Sequence, residues 1–183
     1  MIKVNIGCGW RNFGSEWIHI DGGDYSHLDY RTDRLQDLSF FKSCTIDLIY
    51  SSHVIEYYDR EKIKDVLKEW KRVLKPGGVI RIAVPDFEVL SYLYSTRQVK
   101  LSQIIGPLYG KMEMGDKEIF HKTVYDFDSL KDVLEDVGFH SVTRYDWRET
   151  EHVRYDDHSQ AYIPHMDKNN GTLISLNVEA YKK

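Results

Sequence analysis

The residues best suited to chemistry stand at the ends of short apolar runs. Asn5-Ile6 leads into Gly7-Cys8-Gly9, and Trp17-Ile18-His19-Ile20 leads into Asp21 followed by Gly22-Gly23. Glycines at such a point let the backbone turn sharply and leave no side chain between it and a ligand. A carboxylate at a strand end, fourteen residues after Gly7, is placed to accept both ribose hydroxyl hydrogens of an adenosine-containing cofactor. A dinucleotide fingerprint needs a third glycine, but position 12 is Asn12. Only ten residues separate Ile6 from Trp17, which predicts a stunted first helix of one turn, poorly suited to holding a pyrophosphate. NAD or FAD is therefore the second choice of cofactor. Cys8 reads as a small packing residue, because nothing nearby in sequence would lower its thiol pKa.

A third apolar run, Thr45 to Tyr50, ends at Ser51-Ser52-His53. His53 is the first candidate for a group that removes or positions an acceptor's proton and His121 the second, since imidazoles change charge near neutral pH. The competing reading of His53 is a hydrogen bond to a neighbouring loop. In the late stretch Asp146 to Gly171, His152, Asp156, Asp157, His158 and His165 are irregularly spaced and match no metal-ligand set. No metal is expected.

Elements that alternate between strand and helix must position these groups, and that alternation signifies an α/β sheet. Ile63, Val66, Leu67, Trp70, Val73 and Leu74 fall on one helical face, with Asp59 as cap and Lys75-Pro76-Gly77-Gly78 as stop. Val79 to Val84 reads as a strand leaving at Pro85-Asp86. Residues 91–125 read as a less regular candidate lid whose Tyr92, Tyr94 and Tyr109 either enclose an acceptor or belong to a core. Asp128 or Ser129 is expected to cap a helix burying Leu130, Val133, Leu134 and Val137. Strands follow at Ser141 to Tyr145 and Thr172 to Tyr181. The polar excursion over residues 146–171 is expected to be a solvated loop lining the acceptor pocket, or partly mobile.

The chain has 183 residues, 42% of them hydrophobic and 30% charged, which suits one soluble domain with a sizeable core. Its formal net charge of -4 provides no broad basic field, so nucleic acid is disfavoured as a partner. Two cysteines give no disulfide framework, and no apolar run approaches a membrane span or follows a basic leader. A cytoplasmic location is expected.

Taken in order, Asn5-Ile6-Gly7-Cys8-Gly9, Trp17-Ile18-His19-Ile20-Asp21, Asp47 to Glu56, Leu74-Lys75-Pro76-Gly77-Gly78 and Asp136-Val137-Gly138-Phe139 resemble the class I S-adenosylmethionine-dependent methyltransferases. The similarity is to their small bacterial type with an abbreviated first helix, and it runs through nearly the whole chain. It implies a doubly wound, mostly parallel seven-stranded sheet with an antiparallel last strand, in a three-layer αβα sandwich. It also implies S-adenosylmethionine as cofactor. On that resemblance, Asn5, Gly7, Cys8 and Gly9 pass beside the methionine part of the cofactor, Asp21 binds its ribose, and Asp33 with Arg34 meets the adenine, Asp37 competing for that role. Ser52 and His53 lie beside the sulfonium.

Two departures bear on the acceptor. Relatives that methylate the amino groups of adenine or glutamine carry an Asn- or Asp-Pro-Pro-aromatic element where this chain has Ser51-Ser52-His53-Val54. Metal-dependent relatives carry a Glu-His pair where this chain has Glu56-Tyr57. The expected acceptor is an oxygen or nitrogen on a small metabolite, a sugar or sugar-linked intermediate being one such molecule. A protein acceptor, a module that binds the cofactor without turnover, and an NAD-dependent oxidoreductase are the alternatives.

Overall fold

Apolar residues at every second position of a strand, and at every third or fourth of a helix, let each element bury one face. In the computed structural model, which describes residues 1–114 and 117–183, these elements assemble around a seven-stranded sheet. Its strands are β1 (Lys3–Ile6), β2 (Trp17–Asp21), β3 (Tyr30–Arg31), β4 (Ile46–Ser52), β5 (Leu74–Pro85), β6 (Phe139–Arg144) and β7 (Ser175–Lys182). Their spatial order is β3-β2-β1-β4-β5-β7-β6. The pairs among β1 to β5 are parallel, and β7 runs antiparallel to both β5 and β6. This is the expected sheet, antiparallel last strand included.

One face is covered by α1 (Ile63–Val73) and α4 (Phe127–Val137). Helix α1 buries Ile63, Val66, Leu67, Trp70 and Val73, the periodic set seen in the sequence. The Trp70 indole N–H, unable to reach water, donates to the Leu35 carbonyl at 2.7 Å. Asp59 accepts from the Glu61 and Lys62 amides on the way into the helix. Helix α4 begins earlier than expected: Asp126, not Asp128 or Ser129, is its cap, accepting from the Ser129 amide at 2.9 Å while the Ser129 hydroxyl returns to the Asp126 backbone. Ser129 is thus the return arm of a capping box. Gly138 ends the helix in the left-handed conformation.

The other face departs from expectation. No helix forms between β1 and β2. The backbone amides that would have built its first turns are taken by side chains. Gly9 N–H donates to Asp21, Phe13 N–H to His19 Nε2 and Gly14 N–H to Asn12, while Gly7, Gly9 and Gly14 all take positive φ. Phe13, Trp17, Leu48 and Tyr50 form a separate cluster on this side. Its roof is the late excursion: Trp147, His152, Asp157, Ser159 and Gln160 are buried, so residues 147–162 are packed structure rather than a solvated loop, while 164–171 stay exposed or half-buried. Trp147–Glu149 and His158–Gln160 form single 3-10 turns there, and Tyr162–Ile163 pairs with Thr172–Leu173 in a small hairpin. The last sheet strand accordingly starts at Ser175, not Thr172.

The segment expected to be irregular contains α2 (Phe87–Ser95), α3 (Leu101–Tyr109) and a short pair, Met112–Met114 with Lys117–Ile119. Gly115 and Asp116 of the expected lid lie outside the described residues. Leu90 and Leu93 of α2, with Val99 and Ile104, bury against Ile174, forming a second small core. Tyr92, Tyr94 and Tyr109 are exposed, so none is a core aromatic.

Candidate active site

The carboxyl ends of β1, β2 and β4 bring together the residues singled out in the sequence. Gly7 and Gly9 have φ of 71° and 56°. A Cβ on Gly7 would stand 2.2 Å from Val54 Cγ2, whereas one on Gly9 would meet nothing within 4 Å. Gly7 thus lets the turn pack on the loop after β4, and Gly9 leaves open space. Beside that space stands Asp21, whose two carboxylate oxygens accept from Gly9 N–H at 2.8 Å and Gly23 N–H at 2.7 Å. Each oxygen keeps a lone pair for a ligand.

Gly22 explains how Asp33 arrives here. A Cβ on Gly22 would lie 3.1 Å from the Asp33 Cα, so the absence of a side chain lets that loop pass close by the end of β2. Asp33 and Arg34 are exposed. Asp37, the competitor for the adenine role, has its carboxylate engaged by the Ser39 amide and Arg34, both at 3.2 Å. Asn5 and Cys8 are each 3% exposed. Asn5 is in register with His19 and Tyr50, which places it beneath the turn on the roofed face. Burial pushes the Cys8 thiol up to about 12, with Asp21 adding to the effect, so it is no nucleophile at neutral pH.

At the end of β4, the Ser52 hydroxyl is buried without a partner. His53 follows with φ of 55°, a conformation rare outside glycine, and its amide donates to the Ala83 carbonyl at 2.8 Å. Its Nδ1 is 3.3 Å from Glu56 Oε1, and its Nε2 has no partner. Burial holds the ring well below the usual histidine pKa, with His158, His121 and Arg11 acting in the same direction, so it is neutral at pH 7.

Glu56 is 0% exposed, and neither carboxyl oxygen has a hydrogen bond. Burial pushes it up to about 8. His121 approaches from the segment before α4, its Nε2 3.8 Å from the same Glu56 oxygen. Its Nδ1 is 3.0 Å from the Pro107 carbonyl. A carbonyl only accepts, so Nδ1 carries the hydrogen and the neutral ring offers Nε2 as a lone pair. Gly110 is needed to seat this ring, because a Cβ there would lie 2.3 Å from Nε2. The amides of Lys122 and Thr123 donate to the Glu56 backbone carbonyl, fixing the segment against the 3-10 turn Ile55–Tyr57.

Two further residues complete the site; sequence reasoning weighed His158 only as a metal ligand and passed over Arg11. His158 of the excursion lies with its ring centroid 4.9 Å from that of His53. Arg11 donates to the Asp156 carbonyl at 3.0 Å, tying the glycine turn to the excursion. Neither carries a local signal, since both act across long sequence separations. Glu56 had one: the spacing His53-Val54-Ile55-Glu56 puts a carboxyl one turn from the imidazole. On the far side of His121 is a cleft of about 310 Å³ lined by Phe87, Leu108, Tyr109, Lys122, Thr123 and Val124. Among the described residues, no group of three His, Cys, Asp or Glu side chains is placed to hold a metal ion.

Residues 5–82 match a family described as "Methyltransferase domain". Over that stretch the chain is similar to a methyltransferase domain, and its sheet has the fold of the class I S-adenosylmethionine-dependent methyltransferases. The matched stretch runs from the glycine turn through β5 and contains Asp21, His53 and Glu56. Solved structures share the fold at low identity. A methyltransferase from Archaeoglobus fulgidus aligns with a TM-score of 0.59 at 17% identity, over 98% of this chain and 85% of that one. A possible histamine N-methyltransferase from Thermotoga maritima gives 0.56 at 15%, over 100% and 82%. The 1,6-didemethyltoxoflavin-N1-methyltransferase of Burkholderia thailandensis, solved with bound 1,6-didemethyltoxoflavin and S-adenosylhomocysteine, gives 0.56 at 10%, over 100% and 71%. No curated protein matches the sequence.

S-adenosylmethionine, not a dinucleotide, is the cofactor of this methyltransferase class, and the residues present fit it. The space over Gly9 is open to a ligand backbone and the Asp21 carboxylate borders it. With no helix after β1, no helix N-terminus stands ready for a pyrophosphate. Among the described residues, no helix is long and apolar enough to cross a membrane.

Proposed function

We propose that this methyltransferase acts on an oxygen or nitrogen nucleophile of a small molecule, with His53 receiving the proton that the nucleophile gives up. The observation that carries this reading is the buried His53 ring, neutral and with Nε2 unpartnered, at the strand end beside the glycine turn. In this reading Asp21 takes the ribose hydroxyls and the Gly7-Cys8-Gly9 turn, with Asn5 beneath it, lies along the amino-acid tail. Asp33 and Arg34 border the adenine, and Ser52 faces the sulfur. When bound, S-adenosylmethionine supplies an electrophilic methyl group on a positively charged sulfur.

The chain then has two tasks, to hold the acceptor in line and to take its proton. His53 is suited to the second because its neutral ring accepts without first losing a proton. His121, the other histidine expected to serve, lies against Glu56 and lines the cleft.

His53→Ala tests the reading. Turnover should fall at least tenfold while affinity for S-adenosylhomocysteine changes less than threefold, as for a group that serves the acceptor alone. Equal losses in both, with a lowered Tm, would reduce His53 to a structural residue. Radioactive S-adenosylmethionine added to cell extract should label the small-molecule fraction; label confined to macromolecules would replace the proposed acceptor with a protein.

A further inference from the structure

The Glu56 carboxyl is completely buried, lacks any hydrogen bond, and has one oxygen between two imidazole nitrogens, 3.3 Å from His53 Nδ1 and 3.8 Å from His121 Nε2. Such a group costs several kcal/mol to bury unless something recovers the loss. The segment before α4 is held by the backbone of Glu56, not by its side chain, through the amides of Lys122 and Thr123.

We propose that Glu56 is a positioning residue that decides which ring nitrogen of His53 carries the hydrogen, and hence whether Nε2 can accept a proton. When the carboxyl is protonated, its O–H donates to Nδ1, and the single ring hydrogen of neutral His53 must sit on Nε2. That nitrogen then points a donor at the acceptor and cannot act as a base. When the carboxyl is ionised it accepts from Nδ1–H, and Nε2 presents its lone pair. In that state the acceptor's O–H or N–H bond breaks, an Nε2–H bond forms, and the positive imidazolium is balanced by the carboxylate at Nδ1. The proton then returns to solvent.

The groups facing this pair are few. Tyr57 is adjacent on the same turn, Tyr125 and His121 approach from the segment before α4, and His158 and Arg11 face the other side of His53. Burial raises both tyrosines, so they stay neutral through the relevant range. His121 has its tautomer fixed by the Pro107 carbonyl. Arg11 holds a fixed charge. Glu56 is therefore the group that switches, near the value of about 8 to which burial pushes it. His158, held below the ordinary histidine value with the Arg11 charge among the causes, does not change charge near 8.

The catalytic meaning of this switch rests on the proposed role of His53, but its test does not. Histidine-labelled full-length protein, free of acceptor, is followed by two-bond nitrogen–proton correlation from about pH 6 to about pH 10. His53 should carry its hydrogen on Nε2 at the low end and on Nδ1 at the high end, changing over near 8. In Glu56→Gln the tautomer should be the same at both ends. A wild-type tautomer that is constant across the range, or a changeover that persists in Glu56→Gln, overturns the proposal. The wild-type titration stands by itself should the variant fold poorly. A tautomer that follows Glu56 while His53→Ala leaves turnover intact would support the coupling and sink only the role of His53 as base.

Discussion

Phe13 and Tyr155 lie ring on ring, their centroids 4.6 Å apart and their planes 11° from parallel. One belongs to the segment after β1 that fails to become a helix, the other to the excursion near the end of the chain. Phe13 also meets the edge of Trp17 and stacks on His152, so one side chain joins the two pieces that roof this face of the sheet. The usual cover for such a face is a crossover helix. Here the helix is replaced by residues that arrive much later in sequence.

Replacing Phe13 with alanine should therefore cost about 3–5 kcal/mol, the range for emptying a well-packed aromatic site. The loss should appear in denaturant unfolding as a lower midpoint. Limited proteolysis should cut first within residues 146–171, since their main apolar anchor is gone. An unchanged cleavage pattern would show that the excursion is held by other contacts.

The two glycines of the turn should fail in different ways. Gly7→Ala places a methyl 2.2 Å from Val54 Cγ2 and should reduce stability first. Gly9→Ala meets no protein atom within 4 Å. It should cost only the roughly 1–2 kcal/mol of a left-handed residue with a Cβ, yet reduce S-adenosylmethionine affinity by at least tenfold. Thermal melts set beside calorimetric titrations separate the two, and equal behaviour would remove the ligand from the space over Gly9.

Asp21→Ala should weaken cofactor binding by about 1–3 kcal/mol through the lost hydrogen bonds. It also frees the amides of Gly9 and Gly23, so the turn should loosen even without ligand. Amide exchange at Gly9 and Gly23 should quicken in the variant. Unaltered affinity for S-adenosylhomocysteine would take Asp21 out of the site.

Stability should fall in acid, and His152 should account for part of the fall. Its ring is 0% exposed with both nitrogens unpartnered, and burial lowers its pKa to about 4. The unfolded chain binds this proton near the ordinary value of about 6.5, so between that pH and about 4 the unfolded state holds more protons than the folded one. The stability present above this window is lost as pH falls through it, by roughly 3 kcal/mol. His152→Leu should flatten the acid limb of the unfolding midpoint; a limb of unchanged slope would place the effect on the other buried histidines.

Much of this arrangement was legible because local patterns and tertiary demands coincide. Ile63, Val66, Leu67, Trp70 and Val73 announce α1 by their spacing, and the glycine turn and Asp21 mark strand ends through residue types that few other contexts require. The first helix was misjudged because a count of residues says nothing of where their amides go; Asn12, His19 and Asp21 take them. The excursion was misread for a related reason. Asp157 and Gln160 are polar in composition, and hydrogen bonds make them buriable: the Tyr50 hydroxyl and the Ser159 amide donate to Asp157, and Gln160 donates to the carbonyls of Val153 and Tyr155. The part of Glu56 depended on a buried environment that a one-letter string does not contain.

Because the roof over β1 and β4 comes from residues 146–171, a ribosome must deliver the chain through that excursion before the glycine turn acquires its neighbours. Arg11 finds Asp156, and His53 finds His158, only at that late stage. Nascent chains stalled after β5 would thus expose a bare aromatic surface around Phe13, Trp17 and Tyr50 to chaperones. Competence to bind the methyl donor would come only after residues 146–171 have emerged, well after the residues that touch the donor.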